Sequence, residues 1–146
     1  EVGADVAIHY RTEDFVDVVM AHTQKQGVNM VLDMVGGSYI QRNLQVLSPD
    51  GRLVQIAFLQ PSKVEVDWVS LMAKRLTFTG STLRPRTAAD KAQMARELLQ
   101  HVWPLLEAGT VKPVIHKVFD LAQASQAHAL MESSEHIGKI MLKVAG

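Results

Sequence analysis

The residues best placed to do chemistry lie at the end of an apolar run, "VNMVLDMVGG", over positions 28–37. Asp33 is the ionisable group of that run, and two glycines, Gly36 and Gly37, close it. Burying a carboxylate without partners is costly. Either the run is exposed on one face, or Asp33 sits where a strand leaves its sheet and finds a partner. Glycines at such a point allow a sharp turn and a close approach of ligand to backbone. Other candidates are weaker. The histidines at 9, 22, 101, 116, 128 and 136 never take the i, i+4 spacing of a helical zinc site, and there is no cysteine. No metal site is expected. There is no G-x-S-x-G, so a serine hydrolase lacks its nucleophile signature. The carboxylate pairs in "TED" and "SSE" suit helix starts or solvated faces.

Composition narrows the field. Lys plus Arg equal Asp plus Glu at 15 each, so no net field draws nucleic acid or an anionic membrane. Apolar residues at 47% and charged residues at 21% are globular proportions. No apolar run is long enough for a bilayer span, and no basic-then-apolar leader opens the chain. A cytoplasmic protein is expected.

The elements that must position Asp33 follow from periodicity. Residues 4–10 read as a strand, and "TEDFVDVVMAHTQKQG" as a helix capped by Thr12 and closed by Gly27. Phe15, Val18, Val19 and His22 form its mostly apolar stripe. Strands are expected within 28–35, 52–58 and 76–82, parallel and adjacent, with their carboxyl ends on one side. Helices at 38–48 and 66–75 alternate with them, the first packing through Ile40, Leu44 and Leu47. Pro49-Asp50-Gly51 reads as a turn with positive φ at glycine. Such alternation predicts an α/β fold whose apolar strands are covered on both faces. Ligands of such sheets bind beyond the carboxyl ends of the strands.

Beyond residue 84 the rhythm changes. "RPRT" connects to one long helix over 88–108, with Met94, Leu98, Val102 and Leu105 on a face and a bend at Pro104. A strand (113–121), a helix (122–133) and a strand (138–144) follow as a separate unit. No G-x-G-x-x-G and no G-x-x-x-x-G-K-[ST] occurs, so a nucleotide-binding sheet here lacks its phosphate-cradling loop.

The ordered set "GADVAIHYRTEDF", "VLDMVGG", "LSPDGRLVQIAF", "GSTLRPR" and "GTVKPVIHKVFDLAQASQAHALMESSEHIGKIMLKV" resembles NADPH-dependent quinone oxidoreductases. These form the zeta-crystallin-like branch of the medium-chain dehydrogenase/reductase superfamily. The resemblance covers essentially the whole chain. It implies that residues 1–86 are the second half of a Rossmann domain, and that 87–146 return to a GroES-like catalytic domain. It further implies a chain that begins after the Gly-rich loop, and therefore residues 1–146 that bind NADPH no better than millimolar and do not turn over alone.

By the same resemblance the protein transfers hydride from NADPH to a quinone or α,β-unsaturated carbonyl without zinc, as a homodimer. Tyr10 matches a tyrosine beside the adenosine 2′-phosphate. Val35 and Gly36 match a turn near the adenine and ribose. Ile56, Ala57, Phe58 and Leu59 match the stretch facing the nicotinamide ribose and carboxamide, where many relatives carry a glycine that this chain lacks. Thr82, Leu83 and Arg84 match a second stretch of the nicotinamide pocket, and Ser134 an outlying cofactor position. Asp33 is expected to accept hydrogen bonds from backbone N–H groups of the Gly36-Gly37 turn, supporting the rim without acting as a catalytic acid. No catalytic residue is assigned. Two other readings stay open: a structural or oligomerising module, and a fragment of a SAM-dependent methyltransferase.

Overall fold

A computed structural model describes residues 3–144. The chain divides into two compact units, Glu1–Arg86 and Thr87–Gly146. In the first, α1 (Phe15–His22) precedes β1 (Val28–Asp33). Then come α2 (Tyr39–Val46), β2 (Leu47–Gln55), α3 (Val69–Ala73) and β3 (Thr77–Gly80). The strands form one parallel sheet in the order β1-β2-β3. Its register pairs Val31 with Leu53 and Leu53 with Phe78. The three expected strands are therefore parallel and adjacent, as the α/β reading requires.

The core sits between this sheet and α2. Leu44, Leu47, Leu53 and Leu76 are buried together, with Val28, Val31, Val66 and Leu71 packed against them. Leu44 recurs four residues after Ile40, so one face of α2 meets the sheet. The second face of β1 departs from expectation: Met30 and Leu32 are 60% and 64% exposed. No described element covers them.

Local chemistry moved several boundaries. Residues 4–9 form no strand, because they meet no ladder partner among the described residues. Asp14, not Thr12, caps α1: its side chain accepts the Val16 N–H, whereas Thr12 is folded into a turn on the His9 carbonyl. The helix closes at Thr23 rather than Gly27. Pro49-Asp50-Gly51, expected as a turn, lies within β2, at the point where its register with β1 shifts between Val28↔Leu47 and Met30↔Arg52, and the positive φ falls on Asp50 (61°). Gly51 is needed there for space, since a Cβ would lie 2.8 Å from the Ser48 carbonyl oxygen.

Arg42 of α2 joins the two helices. Its guanidinium lies 3.0 Å from Asp14 Oδ1, 4.4 Å above the Phe15 ring and 5.2 Å from the Tyr39 ring. The Arg42 hydrogen bond, helped by the Val16 N–H, holds the Asp14 carboxyl below its ordinary value. A lowered folded value means stabilisation that is present above the ordinary carboxylate range and lost as pH falls through the folded value. Asparagine caps helices as well as aspartate does, so Asp14→Asn removes mainly this charge pairing. The difference in melting temperature between the two proteins should be full at neutral pH and be lost as pH falls through and below the ordinary carboxylate range. A difference independent of pH would contradict the assignment.

In the second unit α4 (Ala88–His101) opens on a capping box between Thr87 and Asp90. The expected single helix is broken at Val102 (φ −106°), and α5 (Trp103–Glu107) restarts with Pro104 in its first turn. Proline lacks an N–H, so a restart suits it better than a bend. Strand β4 (Ile115–Asp120), α6 (Ala124–Ser133) and β5 (Lys139–Lys143) follow, the two strands parallel, with Phe119 and Ala127 buried.

Candidate functional site

Strand β1 ends at Asp33, which is 4% exposed. Its carboxylate accepts the Val35 N–H at 2.6 Å and the Gly36 N–H at 3.2 Å. Asn43 of α2 donates to Oδ2 at 3.0 Å. The charge is thus met by donors from both the turn and the helix, which offsets the cost of its burial. Asp33 is the support of a backbone turn, as expected, with Val35 rather than Gly37 as the second backbone donor. Gly36 (φ 70°) has no room for a side chain, because a Cβ would run into the Phe58 ring.

That ring belongs to a second turn, beyond the end of β2. The Ile56 N–H donates to the Asp33 carbonyl at 2.8 Å, continuing the ladder by one bond. The Leu59 N–H reaches the Met34 and Val35 carbonyls, and the Gln60 N–H reaches Val35 at 2.8 Å. The two strand-end turns are therefore one hydrogen-bonded rim. Glycine at 36 and the Asp33 bonds let them approach.

Two clefts open on this rim. The first, about 270 Å³, is mostly apolar and is lined by Tyr10, Phe15, Met34, Val35 and Tyr39 beside Asp33 and Asn43. The second, about 410 Å³, lies between Gln55–Phe58 and Gly80–Thr82. Tyr10 stands at the mouth of the first, 65% exposed, its hydroxyl accepting from Arg11 Nε at 3.3 Å. Val35 lines the first cleft, while Ile56, Ala57, Phe58 and Thr82 line the second. Leu59 commits its N–H to the rim and leaves its side chain 71% exposed. Leu83 and Arg84 follow in a turn closed by the Arg86 N–H on the Leu83 carbonyl. Ser134 belongs to the second unit, where it ends α6 in the left-handed region (φ 58°).

Residues absent from the sequence-based expectation also contribute. Asn43 interrupts the apolar face of α2 and Gln55 interrupts an apolar strand; both are buried and both bond to the Asp33 region. Each polar interruption was the readable signal.

Residues 2–142 match the family described as "Zinc-binding dehydrogenase". The chain belongs to that family. Among curated relatives, it is 29% identical over 143 residues to a phenolphthiocerol/phthiocerol polyketide synthase polypeptide of Mycobacterium tuberculosis, covering 98% of this chain and 6% of that one. It is 27% identical over 141 residues to the quinone oxidoreductase of Rattus norvegicus, covering 96% of this chain and 41% of the relative. Among solved structures, an NAD-dependent alcohol dehydrogenase matches with a TM-score of 0.77 at 25% identity, over 98% of this chain and 39% of that one. The CurK enoyl reductase matches with a TM-score of 0.66 at 27% identity, over 92% and 40%. The chain thus spans well under half the length of these relatives.

The relatives of this zinc-binding dehydrogenase chain are oxidoreductases and polyketide synthases; the quinone oxidoreductase branch is one neighbourhood among several. The family name raises zinc. Among the described residues no three His, Asp or Glu side chains converge as a ligand set, and the chain has no cysteine. These residues do not fit a zinc site, and no step is derived through one. Their placement suits a dinucleotide: a carboxylate-held glycine turn lies at the carboxyl ends of parallel strands, with one cleft beside it and another running back along β1.

Proposed function

We propose that the complete gene product is an NADPH-dependent oxidoreductase that reduces a quinone or an α,β-unsaturated carbonyl compound. The observation that carries this reading is the rim itself. Two backbone turns are fixed by Asp33 at the strand ends, with a cleft on either side, in a chain of a dehydrogenase family. The first cleft takes the adenosine half, with the Tyr10 hydroxyl as a donor to the 2′-phosphate. The second takes the nicotinamide half against the backbone of residues 56–58 and 80–84. Bound there, the reduced nicotinamide supplies the hydride. The protein's own residues bind, orient and keep water from it. A homodimer in the cytoplasm, acting on a flat small-molecule acceptor, is part of the same reading and is supported by the resemblance to the quinone oxidoreductases.

A second reading, reduction of an enoyl thioester, is favoured by the polyketide synthase relative and the CurK match. Loss of absorbance at 340 nm separates them. With NADPH and either 1,4-benzoquinone or a 2-enoyl thioester as acceptor, the complete gene product should consume NADPH fastest with the quinone. Turnover with the thioester alone would transfer the assignment to the second reading. No consumption with either acceptor would overturn both and favour a structural role.

A further inference from the structure

Gln55, the last residue of β2, is 6% exposed on a strand face that carries the fully buried Leu53. Its Nε2 donates to the Ala57 carbonyl at 2.6 Å and to the Asp33 carbonyl at 3.3 Å. Its Oε1 is buried and meets no donor among the described residues. An apolar side chain, as at Leu53, would avoid that unpaired acceptor. What glutamine brings to this position is its donor end.

The bond to Ala57 has a consequence for the next residue. The Ala57–Phe58 peptide is planar and trans, so a carbonyl drawn in towards Gln55 turns the Phe58 N–H the opposite way. No acceptor among the described residues meets that N–H. Phe58 lies on the wall of the second cleft, opposite Ser81 and Thr82, and is 49% exposed. The turn cannot swivel freely, since the Leu59 N–H is tied to Met34 and Val35 just beyond it.

We infer that Gln55 is a positioning residue: it locks the Ala57–Phe58 peptide so that the Phe58 N–H is presented to an acceptor oxygen of the molecule in the second cleft. This rests on the cofactor reading above, under which that oxygen belongs to the nicotinamide nucleoside half. Gln55→Met keeps the length and volume of the side chain but frees the Ala57 carbonyl.

The test titrates the complete gene product, with and without this substitution, against NADPH and against adenosine 2′,5′-bisphosphate, which lacks the nicotinamide half. The variant should bind NADPH about tenfold more weakly and the bisphosphate unchanged. Unchanged NADPH binding, or equal weakening of both ligands, overturns the inference while leaving the cofactor reading standing. Absence of NADPH binding by the unsubstituted protein overturns the cofactor reading, and the inference with it. A measurement on the unsubstituted protein guards against a variant that does not fold. Exchange of the Phe58 amide hydrogen, followed by NMR, should slow at least about tenfold on saturation with NADPH, as a newly bonded amide does. An unchanged rate overturns the inference.

Discussion

Asp33→Ala should destabilise the protein by about 3–5 kcal/mol. The carboxylate is buried and takes the Val35 and Gly36 N–H groups and the Asn43 amide. Alanine removes these charge-assisted bonds and also leaves their donors facing an apolar pocket. Each unmet buried donor costs about 1–3 kcal/mol, so the loss exceeds that of a surface carboxylate several-fold. Asn43→Ala removes one donor and leaves the turn bonds in place, so it should cost less. Urea unfolding measures both. A change below about 1 kcal/mol for Asp33→Ala would show that water replaces the carboxylate without penalty, and would remove Asp33 as the support of the rim.

Gly27→Ala should be comparably severe, for a different reason. Gly27 has φ 79°, and a Cβ there would lie 2.5 Å from the Val46 carbonyl oxygen and 2.9 Å from the Ser48 nitrogen. Those atoms are backbone at the junction of α2 and β2, where Val46 and Leu47 are buried, so they cannot swing aside as a flexible side chain does. The left-handed conformation costs a residue with a Cβ about 1–2 kcal/mol, and displacing a packed junction adds about 1–3 kcal/mol. Gly109→Ala separates the two contributions. Gly109 also has positive φ (68°), but its Cβ would meet the end of the Lys112 side chain, which can move. Gly109→Ala should therefore show the conformational cost alone. Equal losses at the two sites in chemical unfolding would mean that the junction yields.

The sheet was legible because its strands are apolar runs separated by helix-period segments, and that signal needs no knowledge of partners. The role of Asp33 was legible for a related reason. A lone carboxylate at the end of an apolar run, three residues before a pair of glycines, has few ways to be satisfied except by the turn itself. Features that depend on residues distant in sequence were not. Asn43 reaches Asp33 across ten positions, and nothing in the α2 periodicity marks it except that it is polar. Residues 4–9 look like a strand, yet an extended segment becomes one only with a neighbour to bond. The strand expected to run to residue 58 stops at Gln55, where β3 also ends, because the ladder is set by the shorter partner. Asp14 displaced Thr12 as cap because both are capping types and the His9 carbonyl had already claimed Thr12.

The measurement that bears most directly on the central claim is a crystal structure of the complete gene product with NADPH. The nicotinamide should lie in the cleft between Gln55–Phe58 and Gly80–Thr82, and the adenine in the cleft beside Tyr10 and Val35. The chain joining them should cross at Gly36. A cofactor bound elsewhere, with the Asp33 turn and both clefts untouched, would contradict the account.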